Sequence, residues 1–350
     1  THFNPHFYIK DVKYSLSYYT DLSPSDFEEQ FLSSKLETIE LLKKLIITPS
    51  FSKEEDKTAT ILSDFFTQTG VPTERYLNNI WVKNKYYSIN KPTLLLNSHH
   101  DTVKPNTSYR RDPFEASVEE GKLYGLGSND AGGALICLAF TFLHFYNTPN
   151  LPFNLVFAAT AEEEISGKNG IEAVLPHLGK IDFGIVGEPT EMDIAVAEKG
   201  LLVLDCTARG KSGHAARSSE GINAIYEAMK DIHWFQTFQF SKISETLGPI
   251  HMNVTMIHAG TQHNVIPDEC KFTVDIRATD AYTLEETLQI IKKHIQSEVT
   301  PRSVRLRPSG ISLTHPLVLS AEGRPHRLYG SPTLSDQALL PFESIKMGPG

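Results

Sequence analysis

Cysteine is scarce in this sequence. Only Cys137, Cys206 and Cys270 occur, far apart and odd in number. That excludes a disulfide framework and a CxxC metal site, and it points to a reducing compartment. Positive charge is also short: Lys plus Arg is 33 against 42 for Asp plus Glu, a formal net charge of −9. The basic footprint of a nucleic-acid binder is therefore missing. The longest nearly unbroken apolar run, Ala131 to Leu143, is shorter than the ~18 residues that cross a bilayer. No charged-then-apolar signal pattern is present. These absences predict a cytoplasmic protein with neither membrane nor nucleic acid as partner.

What remains is globular in character. Hydrophobic residues make up 40% and charged residues 21% of 350 positions, which excludes global disorder. The length allows about two domains. Residues 1–27 are rich in Tyr, Ser, Asn and Pro and form an extension without a clean period. From Glu28, apolar residues recur at three- and four-residue steps up to Pro49, which predicts a helix. Lys57–Thr69 reads as a second amphipathic helix, stopped by Gly70. Thr93–Ser98, Phe153–Thr160 and Phe183–Gly187 read as buried strands, and Asp130–Phe145 as a helix. Buried strands alternating with helices predict an α/β domain with a mostly parallel sheet and helices on both faces.

The texture changes near Lys199. Leu201–Ala208, Met252–His258, Lys271–Ala278 and Val304–Arg307 read as strands, while Asn223–Phe235 and Thr283–Ile295 read as helices. The order β-α-β-β-α-β predicts a ferredoxin-like α+β layer. The expected organisation is thus a first domain over 28–198 and 308–350, with residues 199–307 inserted in it.

Three predicted strands end in residues of metal-ligand type. The first runs into His99-His100-Asp101, the second into Glu162-Glu163-Glu164, and the third into Glu188 before Pro189. Ligands of open parallel sheets bind beyond the carboxyl ends of the strands. His99 and Asp101, two apart in an extended segment, point the same way. The carboxylate can accept one imidazole N–H and leave the other nitrogen for a metal. His100 points away. Asp130 follows the glycine-rich Gly125-Leu126-Gly127 and is either a helix N-cap or a carboxylate bridging two cations. Three adjacent glutamates at a buried strand end repel one another unless cations or shifted pKa values relieve them. One can be a ligand and its neighbour a general base. With no thiolate in the set, histidine plus carboxylates suits Zn²⁺, with Co²⁺ or Mn²⁺ able to substitute.

Other readings fail on spacing. Asp130 stands where a GxGxxG dinucleotide loop needs its third glycine. Gly210-Lys211-Ser212 lacks the upstream glycine of a P-loop, Asp205 standing there. Ser212 is not in a GxSxG elbow, since Gly213 and His214 follow it.

Taken together, these motifs resemble the dinuclear zinc hydrolases that include acetylornithine deacetylase, succinyl-diaminopimelate desuccinylase, aminoacylase and carboxypeptidase G2-like peptidases. The resemblance runs from about residue 30 to Gly350. Gly187-Glu188-Pro189-Thr190, Ala197-Glu198-Lys199-Gly200, Gly213-His214-Ala215-Ala216-Arg217 and Gly330-Ser331-Pro332-Thr333-Leu334-Ser335-Asp336-Gln337 look most like the acetylornithine or acetylcitrulline deacetylase branch. The resemblance implies that His99 and Glu188 bind one zinc, Glu164 the other, and Asp130 bridges both. It implies that Asp101 orients His99 and that Glu163 is the general base. The inserted layer would be a lid and homodimerisation domain, with His214 stabilising the oxyanion in the neighbouring subunit. Asn264, Arg277 and Lys199 match positions near substrate, Arg277 being suited to a carboxylate grip. The family takes a last zinc ligand from a histidine beyond the Met347-Gly348-Pro349-Gly350 turn. His315 and His326 do not sit in that motif, so the expected chain is C-terminally truncated relative to the family.

The expected activity is metal-dependent hydrolysis of an N-acyl amino acid, N-acetylornithine, N-acetylcitrulline or a succinylated equivalent, in arginine biosynthesis. A desuccinylase or dipeptidase of the same family is the alternative within that chemistry. A non-catalytic homologue is the alternative outside it.

Overall fold

The computed structural model describes residues 6–8, 37–321 and 326–350. The expected extension over 1–27, apart from the short strand His6–Tyr8, and the expected helix start over 28–36 lie outside the described residues. The helical period is realised in α1 (37–46) and α2 (Asp56–Gln68). Gly70, at φ +78°, takes the left-handed conformation that stops a helix. Then come β1 (Thr73–Tyr76), β2 (Asn79–Lys83), β3 (Thr93–His99), α3 (Ala134–Tyr146), β4 (Asn154–Thr160), α4 (Ile171–Leu178), β5 (Phe183–Gly187) and β6 (Ile194–Glu198).

Two compact units emerge. The first comprises Thr1–Val196, Ile311–Tyr329 and Ser335–Gly350, and the second Ala197–Gly310 with Gly330–Leu334. The second unit contains β7 (Gly200–Arg209), α5 (Ala224–Thr237), β8 (His251–Ala259), β9 (Glu269–Ala278), α6 (Leu284–His294) and β10 (Glu298–Pro301). Its antiparallel sheet runs β8-β9-β7-β10. The alternation Leu202, Leu204, Cys206, Ala208 against Cys270, Phe272, Val274, Ile276 fills a core beneath α5 and α6. Thr283 and Glu286 form a reciprocal capping box that starts α6. The last strand is Glu298–Pro301, not the expected Val304–Arg307. Pro301 lacks an N–H, but β10 is an edge strand and tolerates it.

Another strand of the first unit is β11 (Ser344–Met347). The sheet there runs β6-β11-β5-β3-β4-β2-β1. β11, β5, β3 and β4 are mutually parallel; β2 and β1 add on antiparallel. Strand alternation sends side chains to two faces. Leu94, Leu96, Leu155, Phe157, Ile185, Ile345 and Met347 join the core shared with α1, α2 and α3. There Phe66, Phe142 and Phe157 pack with ring centroids 5.3–6.4 Å apart, each pair contributing roughly 0.5–1.5 kcal/mol beyond burial. Leu95, Val156 and Ala158 face the other way, against α4. On that second face the same alternation places Asn97, His99, Thr160, Val186, Glu188 and Lys346 near the carboxyl edge.

Among the described residues, no helix is long and apolar enough to cross a membrane.

Candidate metal centre

Strand β3 delivers His99, which is 1% exposed, at the carboxyl edge of the sheet. Its Nδ1 lies 3.0 Å from the main-chain oxygen of Asp101 and 3.4 Å from the Asp101 carboxylate. With Nδ1 held by these acceptors, Nε2 is the ring nitrogen turned to the pocket, and it is the one a cation would take. Around Nε2 stand Asp130 Oδ1 at 3.2 Å, Glu163 Oε2 at 3.8 Å and Glu188 Oε1 at 3.9 Å. One donor atom each from His99, Asp130 and Glu188 fits within a 4.8 Å span.

The Asp101 carboxylate does more than the sequence spacing suggests. It is 1% exposed and accepts from Ser52 Oγ at 2.7 Å, the Glu163 N–H at 3.1 Å and the Glu164 N–H at 3.2 Å. It therefore fixes the turn after β4 as well as facing His99.

That turn sorts the three glutamates. Glu162 is left-handed at φ 55°, and its carboxylate accepts from Asn169 Nδ2 at 2.9 Å. Glu163 faces His99. Glu164 has the Val103 N–H as a hydrogen-bond donor. Asp130 comes from an irregular segment, Ser128–Gly133, with non-helical φ −109° and ψ 100°. It is not the N-cap of α3, which begins at Ala134, so the expected helix from Asp130 starts four residues later. The close turn needs glycine: a Cβ on Gly132 would lie 2.4 Å from Gly127 O and 2.6 Å from Leu42 Cδ1.

The electrostatics are those of a cation site. Burial pushes Glu188 up to about 8 and Glu164 up to about 7, opposed by His99 and reinforced by neighbouring carboxylates. Burial likewise holds Glu163 well above the carboxylate range. Burial alone would lower His99, but its hydrogen bonds to Asp101 and Asp130 and the charges of Glu163 and Glu188 outweigh it and hold it well above its usual value. Four carboxylates around one imidazole are the donor set a divalent ion neutralises.

His100 points away, as its spacing implies. Its ring meets Thr58 Oγ1 and Asn78 O, each at 2.9 Å, and burial lowers its pKa to about 4. His315 caps a short helix through Leu317 N at 3.1 Å. The second unit holds the remaining candidates. His214 is exposed and accepts from Ala216 N at 3.1 Å. Asn264 O accepts from Ala215 N at 2.9 Å, which sets it beside His214 in the chain's local pairing. Arg277 is engaged with Asp275 through Nε at 2.9 Å and a terminal nitrogen at 3.1 Å. Lys199 is 5% exposed and donates to Pro249 O at 2.7 Å.

Sequence reasoning assigned no role to Ser52, Lys346 or Asp336. Lys346, 2% exposed, lowers the Glu188 pKa by its charge. Only the strand register reveals that it shares a sheet face with Glu188.

Residues 196–302 match the family described as Peptidase dimerisation domain, of the M20 type. The inserted unit carries that domain, and the described residues have the fold of M20 peptidases. An aminopeptidase of Bacillus cereus superposes with a TM-score of 0.71 at 19% identity, covering 89% of each chain. An M20 family metallo-carboxypeptidase of Sulfolobus solfataricus gives 0.69 at 18%, covering 89% of this chain and 91% of its own. A dinuclear metal-binding M20 peptidase of Bacillus subtilis gives 0.63 at 17%, covering 89% and 88%. At these identities the likeness is one of fold.

Proposed function

We propose that this chain is a metal-dependent hydrolase acting on the amide bond of an N-acyl amino acid. The observation that carries the reading is the convergence of His99, Asp130 and Glu188 on one point beside Glu163. His99, Asp130 and Glu188 would hold one divalent ion, and Glu164 with Asp130 would serve a second. Zinc suits this donor set, with cobalt or manganese able to substitute. Such ions supply a polarised acyl oxygen and an acidified water.

The protein's own residues carry the rest. Glu163 would take the proton of the attacking water and return it to the departing amine. Asp101 holds the Glu163 turn in place for that transfer. His214 would supply a donor to the oxyanion. Arg277, already steadied by Asp275, would grip a substrate carboxylate, with Asn264 and Lys199 nearby in function. The match of residues 196–302 to a dimerisation domain supports pairing of two copies of the chain. The motifs around Glu188, His214 and Asp336 favour N-acetylornithine, N-acetylcitrulline or a succinylated equivalent, a substrate of arginine biosynthesis. The peptidase fold favours dipeptides as the second reading.

The test is a substrate panel of N-acetyl and N-succinyl amino acids and dipeptides, followed by released amine in the metal-loaded protein. The ratio of kcat/KM values decides between acyl and peptide substrates. Glu163→Gln should keep its metal and lose ~10²–10⁴-fold in turnover. Full turnover by that variant would remove Glu163 from the role, and no hydrolysis across the panel would favour a non-catalytic homologue.

A further inference from the structure

Asp336 lies in a short turn, Asp336–Leu339, and is 3% exposed. Its Oδ2 accepts from Asn97 Nδ2 at 2.9 Å and from Thr160 Oγ1 at 2.7 Å. Those two partners are not arbitrary. Asn97 is on β3, two residues before His99 and on the same face. Thr160 is the last residue of β4, stands opposite His99 in the ladder, and leads directly into the Glu162–Glu164 turn. One carboxylate oxygen thus joins the ends of the two strands that present the candidate ligands and the candidate base.

We propose that Asp336 is a positioning residue of the metal centre, fixing the His99 strand end to the Glu163–Glu164 turn through Asn97 and Thr160. The proposal rests on the metal-centre reading above. The hydrogen bonds Asp336 makes are to Asn97 and Thr160, and through them it acts on the centre. The bonds are charge-assisted and wholly buried, where such contacts hold geometry most firmly. Asp101 ties the far side of the same turn to the segment just after β3. The two aspartates therefore hold the junction between His99 and the glutamates from opposite ends.

The test is Co²⁺ titration of the full chain with a competing chromophoric chelator, together with amide hydrogen exchange of the metal-free protein. Both bonds fall on one oxygen, which an amide could reproduce, so the deciding variant is Asp336→Ala: it removes the acceptor and should weaken Co²⁺ binding ~10–100-fold, the range for groups that orient ligands. It should speed exchange in residues 161–165 while leaving α3 and β9 unchanged. Thr160→Val removes one of the two bonds at constant volume and should shift both readouts in the same direction by less. The double variant should bind within ~2-fold of Asp336→Ala alone, since coupled sites are not additive.

Unchanged Co²⁺ affinity in Asp336→Ala, fully additive losses, or a rise in exchange spread evenly over the unit would each overturn the proposal. If Asp336→Ala does not fold, Thr160→Val decides: unchanged affinity and unchanged exchange at 161–165 overturn it. A wild-type chain that takes up no Co²⁺ would sink the metal reading, and the exchange comparison would still settle the role of Asp336.

Discussion

Replacing Asp101 by Asn changes one atom and should damage both stability and site. The carboxylate accepts from Ser52 Oγ, the Glu163 N–H and the Glu164 N–H. In the better amide orientation, the remaining oxygen keeps the Glu163 N–H and faces His99. The new NH₂ then meets Ser52, which can rotate and accept, and the Glu164 N–H, which cannot. One buried backbone donor is orphaned, at about 1–3 kcal/mol, and the surviving bonds lose their charge assistance. We expect a total of about 2–4 kcal/mol, or roughly 5–15 °C in Tm for a unit of this size. Thermal unfolding by circular dichroism, in excess chelator, measures this without any contribution from metal. Ser52→Ala is the control: it removes a donor but orphans nothing and should cost only ~1 kcal/mol. If Asp101→Asn and Ser52→Ala unfold together, the carboxylate does not organise the turn and the reasoning fails.

Four further outcomes follow from the same geometry. In chelator, stability should fall as pH rises from about 5 to 8. Glu164 and Glu188 sit at about 7 and about 8 when folded, above the ~4.3 of an unfolded glutamate. The folded chain then binds more protons than the unfolded one, so this stability is full below the unfolded value and lost through the folded values. Added Zn²⁺ should raise Tm more at pH 8 than at pH 5.5, and equal shifts would argue against these carboxylates as ligands. Gly132→Ala should lose Co²⁺ binding, because its Cβ strikes Gly127 O; normal uptake in a titration would refute that. In the second unit, Asp231 is 4% exposed and accepts from Ser297 N at 2.8 Å and from Gln296 N at 3.1 Å. Asp231→Ala should therefore cost about 2–4 kcal/mol in urea unfolding, whereas Thr283→Ala, which loses only the α6 cap, should cost about 1 kcal/mol.

Much of this is legible in the sequence, for reasons that differ by element. β5 is an apolar run closed by Gly187 and Pro189, and its bounds came out as read. The inserted β-α-β-β-α-β order survived because each strand alternates and each helix has its cap, such as Asn223 and Thr283. Val304–Arg307 reads as a strand because two apolar residues alternating with arginine imitate an edge strand. The start of α3 was misplaced because Asp130 resembles an N-cap in sequence, and only its φ and ψ show the irregular turn. Ligand-type residues at strand ends stood out, since polar side chains there have no packing reason to exist. Their supports did not: Asp336 lies 176 residues after Thr160 and Ser52 lies 49 before Asp101. No local period connects residues so far apart.

The three consecutive glutamates show how such supports divide roles that sequence leaves equivalent. Each has the same chemistry and nearly the same address. The left-handed turn at Glu162 swings its carboxylate to Asn169, away from the pocket. The Asp101 carboxylate then takes the next two N–H groups, which aligns Glu163 and Glu164 as successive steps of one short turn. Glu163 arrives 3.8 Å from His99 Nε2, while Glu164 is engaged by Val103. Exchanging roles would require reversing the backbone at Glu162, not changing a side chain. Glu162→Gln should accordingly leave Co²⁺ affinity within ~2-fold of wild type, the usual scatter for an uncoupled site. Glu164→Gln should weaken it severely. A Glu162→Gln variant that lost metal as strongly as Glu164→Gln would show that the turn does not separate the two.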